Sequence, residues 1–126
     1  LYKCAISVSG VSDLPTMLGA DKLKWGADSD TVAYLRDTVG LPTDSQVIER
    51  SPARAADRVR IPILLIHGLD DTVVPILQSE LMAHALEKAH KRYSFVKLKG
   101  EDHWMSRADT RLQIMTEIEK FLAANL

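Results

Sequence analysis

Two aspartates and a histidine stand in this sequence at positions where acid–base chemistry is possible. Asp70 and Asp71 come shortly after the apolar run 63–66, and His103 comes shortly after a second such segment, 93–98. A continuous apolar run is typical of a strand that helices cover on both faces, and functional loops collect at the carboxyl ends of such parallel strands. We therefore expect an aspartate and His103 to lie close together at one edge of a sheet.

A paired aspartate and histidine can activate a nucleophile. The carboxylate accepts a hydrogen bond from one imidazole nitrogen and stabilises the imidazolium that forms when the other nitrogen takes a proton. In α/β hydrolases the nucleophile is a serine within the turn Gly-x-Ser-x-Gly, and no serine in these 126 residues has that pattern of glycines around it. The residues alone do not choose between Asp70 and Asp71. They also leave open a structural alternative, with Asp71 as a helix cap and His103 as a surface loop residue.

Three segments have the composition of short strands, and they lie at 3–9, 63–66 and 94–98. In the third segment Lys97 and Lys99 alternate with apolar residues, which indicates a position near the sheet edge. The connections are long enough to return each strand parallel to the last. The fold class predicted from this order is α/β, a three-layer αβα arrangement with about three parallel strands in a single domain over residues 1–126.

Helices are predicted between the strands from apolar residues at intervals of three and four. Ser51 followed by Pro52 is a strong start signal, since serine can cap free amides and proline suits the first helical position. The predicted helical segments are two short helices within 13–40, a turn at 44–49, a helix over 52–58, a helix over 76–90 and a long helix over 107–125.

The composition excludes several classes of function. With 16 basic and 17 acidic residues the net charge is -1, so nothing favours nucleic acid as a partner, and no apolar stretch is long enough to cross a membrane. Cys4 is the single cysteine, which excludes an intrachain disulfide and a cysteine-based zinc site, and we expect it to serve packing. We expect no metal site and a cytoplasmic location. The sequence begins Leu-Tyr-Lys without Met, so we expect it to begin inside a longer protein.

Several motifs together resemble the carboxyl-terminal part of the prolyl oligopeptidase family of serine peptidases. They are the segment Cys4 to Asp13, the pair Ser51-Pro52, the run Ile-Pro-Ile-Leu-Leu-Ile-His-Gly-Leu-Asp-Asp-Thr-Val-Val-Pro at 61–75, the pair Gln78-Ser79, and Gly-Glu-Asp-His-Trp at 100–104. The resemblance implies the C-terminal part of an α/β-hydrolase fold that acts on a peptide substrate without a cofactor. In this family the serine would fall just before Leu1.

The resemblance also assigns roles to individual residues. It implies that Asp71 is the acid and His103 the general base of a Ser-Asp-His triad whose serine is absent from this chain, so that the chain alone is inactive. It further implies an apolar substrate pocket at Val11 and Val74, with Trp25 nearby. We expect Asp70 to cap the turn or accept loop amides.

The other three histidines are expected to have structural roles or none. His67 is expected to be a buried organiser of its loop, whereas His84 and His90 are expected to be solvated.

An esterase or thioesterase would share the triad chemistry. A different class of hypothesis is a self-associating module without chemistry, since the strand within 4–8 would lack a neighbour on one side. That hypothesis predicts a homodimer through the exposed strand edge or the adjacent apolar face.

Overall fold

The computed structural model describes residues 2–126 and contains one parallel sheet of three strands. These are β1 (Ala5–Val8), β2 (Ile63–Gly68) and β3 (Tyr93–Leu98), in the spatial order β1-β2-β3. All six residues of the central strand β2 are buried, as its continuous apolar run predicts. The predicted α/β fold with three parallel strands is therefore confirmed.

The helices match the predicted segments closely. They are α1 (Leu14–Trp25), α2 (Asp30–Thr38), α3 (Ser45–Glu49), a 3-10 helix (Pro52–Arg58), α4 (Leu77–Lys88) and α5 (Ala108–Asn125). One detail of the prediction is wrong, because the Ser51 side chain does not cap the segment that follows it. Its hydroxyl instead donates to the carbonyl oxygen of Val47 and accepts from the amide of Leu14, which ties α3 to the start of α1.

Alternate residues of β2 face two separate apolar clusters. On one face Ile63 and Leu65 pack with the 3-10 helix and with Met82 and Leu86 of α4. On the other face Leu64 and Ile66 pack with Leu98 of β3 and with α5. Helices therefore cover both faces of the sheet, which gives the predicted three layers.

The two outer strands leave open edges within the described residues. Both β1 and β3 pair with β2 on one side and with no other strand of residues 2–126. Lys97 on β3 is exposed, in agreement with the predicted position of this strand at the sheet edge. Homodimer formation through the edge of β1 stays a prediction.

No helix in residues 2–126 has both the length and the apolar content needed to span a bilayer.

Candidate active site

Asp71 lies in the loop after β2 and is held there by backbone amides. Its Oδ1 accepts hydrogen bonds from the N–H groups of Val73, at 2.9 Å, and Val74, at 2.8 Å. The residue is 8% exposed. With one oxygen bound by the loop, the other oxygen of the carboxylate has a fixed direction.

That second oxygen of Asp71 meets His103 from the loop after β3. The His103 Nδ1 lies 2.9 Å from the Asp71 Oδ2, so the structure brings the two predicted residues together. Since an ionised carboxylate can only accept, Nδ1 carries the proton and Nε2 presents a lone pair. Nε2 makes no hydrogen bond with residues 2–126, and the side chain is 25% exposed. The imidazole can therefore take a proton from a group outside these residues.

The electrostatic surroundings of Asp71 favour the charged carboxylate. Burial acts to raise the pKa of Asp71, because a buried charge loses its hydration. Hydrogen bonds from His103 and from the amides of Val74 and Val73 outweigh that effect and hold the pKa of this carboxyl below its ordinary value. Asp71 is consequently suited to stabilise positive charge on its neighbour and unsuited to take up a proton itself.

Asp70 does not have the role that the sequence predicted. Its side chain is exposed and makes no hydrogen bond within residues 2–126, while its N–H donates to the carbonyl oxygen of Glu101 at 3.0 Å. Asp71 instead accepts the hydrogen bonds that the loop amides donate. The prediction that Asp70 accepts loop amides is therefore wrong, because the turn points the second carboxylate, and not the first, toward the amides.

Glu101 organises the loop that carries His103, a role that the sequence pattern did not predict. Its buried carboxylate accepts from the amides of Asp102, at 3.1 Å, and Ser106, at 2.9 Å, and from the hydroxyl of Thr110. The bond from Thr110 is the largest of the effects that lower the pKa of Glu101 below its ordinary value. The available signal was an acidic residue in a predicted loop just before a long helix with a threonine in its first turn.

The end of β2 touches the loop after β3 directly at a glycine. A Cβ atom at Gly68 would lie 2.4 Å from the carbonyl oxygen of Glu101 and 3.0 Å from that of Asp102. Only glycine allows this approach of the two backbones. The approach keeps Asp71 within hydrogen-bonding distance of His103.

A comparison with protein families identifies the chain. The model of the prolyl oligopeptidase family matches residues 1–126. The chain belongs to this family. It is 28% identical over 123 residues to dipeptidyl peptidase family member 6 of Caenorhabditis elegans, and 26% identical over 126 residues to dipeptidyl aminopeptidase BIII of Pseudoxanthomonas mexicana. These matches cover 96% and 97% of the chain but only 17% and 18% of the two relatives.

Solved structures of peptidases share the fold. The Pyrococcus horikoshii acylaminoacyl peptidase matches with a TM-score of 0.80 and 26% identity, over 100% of this chain and 20% of that one. A puromycin-hydrolyzing peptidase of Mycobacterium tuberculosis matches with a TM-score of 0.68 and 39% identity, over 81% of this chain and 15% of that one. The sheet and helices described above correspond to the C-terminal part of the family's α/β-hydrolase fold.

The three predicted substrate contacts occupy different surroundings. Val11 is 36% exposed in the loop after β1 and borders a cavity of about 210 Å³ beside that strand. Trp25 is 52% exposed at the end of α1, where the neighbouring Lys24 donates to the carbonyl oxygen of Thr72 at 2.8 Å. That bond places the end of α1 at the loop of Asp71. Val74 is 8% exposed, so its side chain offers little surface to a ligand. Their contact with substrate stays a prediction.

Gln78 ties the loop of Val11 to the rest of the site. Its side-chain oxygen accepts from the amides of Ser12, at 2.9 Å, and Asp13, at 2.8 Å. It is 1% exposed and lies in the first turn of α4. The same turn follows the loop of Asp71, so the loops after β1 and β2 are anchored to one helix end.

Within the described residues 2–126, no group of His, Cys, Asp and Glu side chains is arranged to hold a metal ion. His84 and His90 are exposed, as predicted, and lie on and just after α4. Asp71 and His103 together offer the chemistry of a general base: the histidine can take up a proton, and the aspartate can stabilise the resulting charge.

Proposed function

We propose that this chain supplies the acid and the base of a serine peptidase. Asp71 and His103 form two members of a Ser-Asp-His triad, and the serine comes from polypeptide outside these 126 residues. The hydrogen bond of 2.9 Å between the His103 Nδ1 and the Asp71 Oδ2, with the opposite nitrogen open, is the observation that carries this proposal.

The relatives support peptides as the substrate class. The curated relatives are named a dipeptidyl peptidase and a dipeptidyl aminopeptidase, and the solved structures include an acylaminoacyl peptidase. All three names describe peptidases. We propose that the protein containing this chain hydrolyses peptide bonds of short peptides.

In the proposed mechanism a proton passes through the open nitrogen of His103. Nε2 takes the proton of the serine hydroxyl as its oxygen attacks the scissile carbonyl, and then gives that proton to the leaving amine. Water repeats the sequence on the acyl-enzyme, and the serine recovers its proton. Asp71 remains ionised throughout and stabilises the imidazolium, in line with the lowered pKa of its carboxyl.

The neighbouring aspartates provide a matched test in the natural polypeptide that carries these residues. Asp71→Asn keeps an oxygen for the loop amides but turns an NH₂ group toward His103, which favours the wrong tautomer. We expect turnover of a chromogenic peptide amide to fall by up to about ten-thousandfold. Asp70→Asn changes an exposed side chain that makes no hydrogen bond within residues 2–126, and it should leave turnover unchanged.

The outcome separates the proposal from its alternatives. Equal activity of the two variants would exclude Asp71 from a triad. A different pair of results would indicate an esterase with the same triad. In that case the unsubstituted protein hydrolyses carboxylic esters but not peptide amides, and Asp71→Asn loses the ester hydrolysis.

A further inference from the structure

We propose that His67 is a positioning residue, which acts through Asp71 and touches neither substrate nor nucleophile. This inference rests on the proposed function, since it assigns His67 a part in holding the acid of the triad. His67 is the last residue but one of β2 and is fully buried. A buried imidazole at this place, four residues before the acid, makes contacts that an apolar side chain could not make.

Both ring nitrogens of His67 have polar partners. Nδ1 lies 2.7 Å from the Ser79 Oγ in the first turn of α4, and Nε2 lies 2.8 Å from the carbonyl oxygen of Val74. A carbonyl oxygen can only accept, so the proton is on Nε2. In the neutral ring Nδ1 then accepts from the hydroxyl of Ser79. The ring is thereby fixed between the central strand and a helix.

The protonated nitrogen of His67 also faces the acid. Nε2 lies 3.3 Å from the Asp71 Oδ2, the oxygen that His103 contacts. At the same time Asp71 Oδ1 accepts from the amide of Val74, whose carbonyl oxygen accepts from His67. His67, Val74 and Asp71 therefore form a closed set of contacts. This set fixes the position of the Asp71 carboxylate and with it the orientation of the His103 ring.

Two amide substitutions test which nitrogen matters. In His67→Gln the side-chain NH₂ can take the place of Nε2–H and still donate toward Val74 and Asp71. In His67→Asn the shorter amide reaches only the place of Nδ1 and leaves that donor missing. We expect His67→Asn to lower kcat roughly a hundredfold, the scale of a misplaced catalytic group, with little change in KM. His67→Gln should recover most of that loss.

A double-mutant cycle distinguishes positioning from a structural role. If His67 acts through Asp71, then His67→Asn should have no further effect on kcat in an Asp71→Ala background. The measurement uses the natural polypeptide and a chromogenic peptide amide, with kcat expressed per folded molecule. A loss of equal size in both backgrounds would overturn the inference, as would equal kcat for His67→Asn and the unsubstituted protein, or equal impairment of His67→Asn and His67→Gln.

A further variant keeps the test open if His67→Asn fails to fold. Ser79→Ala removes only the hydroxyl that holds Nδ1, and we expect a smaller loss of kcat that also vanishes in the Asp71→Ala background. An additive loss would overturn the inference. Near-normal activity of Asp71→Ala itself would overturn the proposed triad, whereas an inactive Asp71→Ala beside a fully active His67→Asn would overturn only the role of His67.

Discussion

At the scale of the residue, one carboxylate connects two loops of the site. Asp71 accepts from its own loop through Oδ1 and from His103 through Oδ2. In the ionised form both oxygens can accept at the same time, which agrees with the lowered pKa of this carboxyl. The choice between Asp70 and Asp71 followed from family resemblance and not from residue pattern. Adjacent residues in a turn point in directions that local composition does not encode, so the pattern alone could not decide it.

The position of the His103 proton is a direct consequence of this geometry. We expect two-bond ¹H–¹⁵N correlations of the neutral ring to show the proton on Nδ1 in the 126-residue chain. In Asp71→Asn the amide NH₂ would face Nδ1, so the proton should move to Nε2. Asp70→Asn is the control and should keep the original tautomer. An unchanged tautomer in Asp71→Asn would show that Asp71 does not orient the ring.

At the scale of the element, hydrophobic pattern predicted most of the fold. The intervals of apolar residues located α4 and α5, and the continuous apolar run located β2 as a buried strand. What the pattern could not show is contact between loops far apart in sequence. The close approach of Gly68 to the backbone of Glu101 depends on such a contact. The hydroxyl of Ser51 was misassigned for a similar reason, since one of its partners is the amide of Leu14 at the start of α1.

Glu101 should make the stability of the chain depend on pH. Its pKa is held below the ordinary value of 4.5, chiefly by the hydroxyl of Thr110. A carboxyl whose folded pKa is lowered stabilises the fold above its unfolded pKa, and that contribution is lost as the pH falls through the folded pKa. Below pH 4.5, unfolding of the unsubstituted chain should take up protons at Glu101. Unfolding of the Glu101→Gln variant should therefore take up fewer protons than unfolding of the unsubstituted chain, with a difference of up to about one proton.

The measurement is the free energy of urea unfolding as a function of pH. Glu101→Gln should also be less stable at neutral pH, because its NH₂ group would face the N–H donors that the carboxylate accepts. Glu119→Gln changes an exposed carboxylate on α5 and serves as the control, because it leaves the contacts of Glu101 in place. Identical pH dependence in the two variants would contradict the role given to Glu101.

In the whole molecule, this chain supplies only part of the proposed triad. The sheet is covered by helices on both faces, yet β1 has no partner within residues 2–126 on its outer side. The chain spans less than a fifth of the two curated relatives compared above. The sequence contains no Gly-x-Ser-x-Gly turn, and the Nε2 of His103 makes no hydrogen bond within residues 2–126. Both observations support the proposal that the nucleophile lies outside these residues.

The most direct measurement is labelling with a fluorophosphonate probe, which reacts with activated serines. In the natural polypeptide we expect label on one serine outside these 126 residues, and we expect His103→Ala to slow labelling roughly a thousandfold or more. The 126-residue chain alone should remain unlabelled. Label on a serine within the chain, or labelling that does not depend on His103, would contradict the proposal that Asp71 and His103 serve a serine supplied from outside.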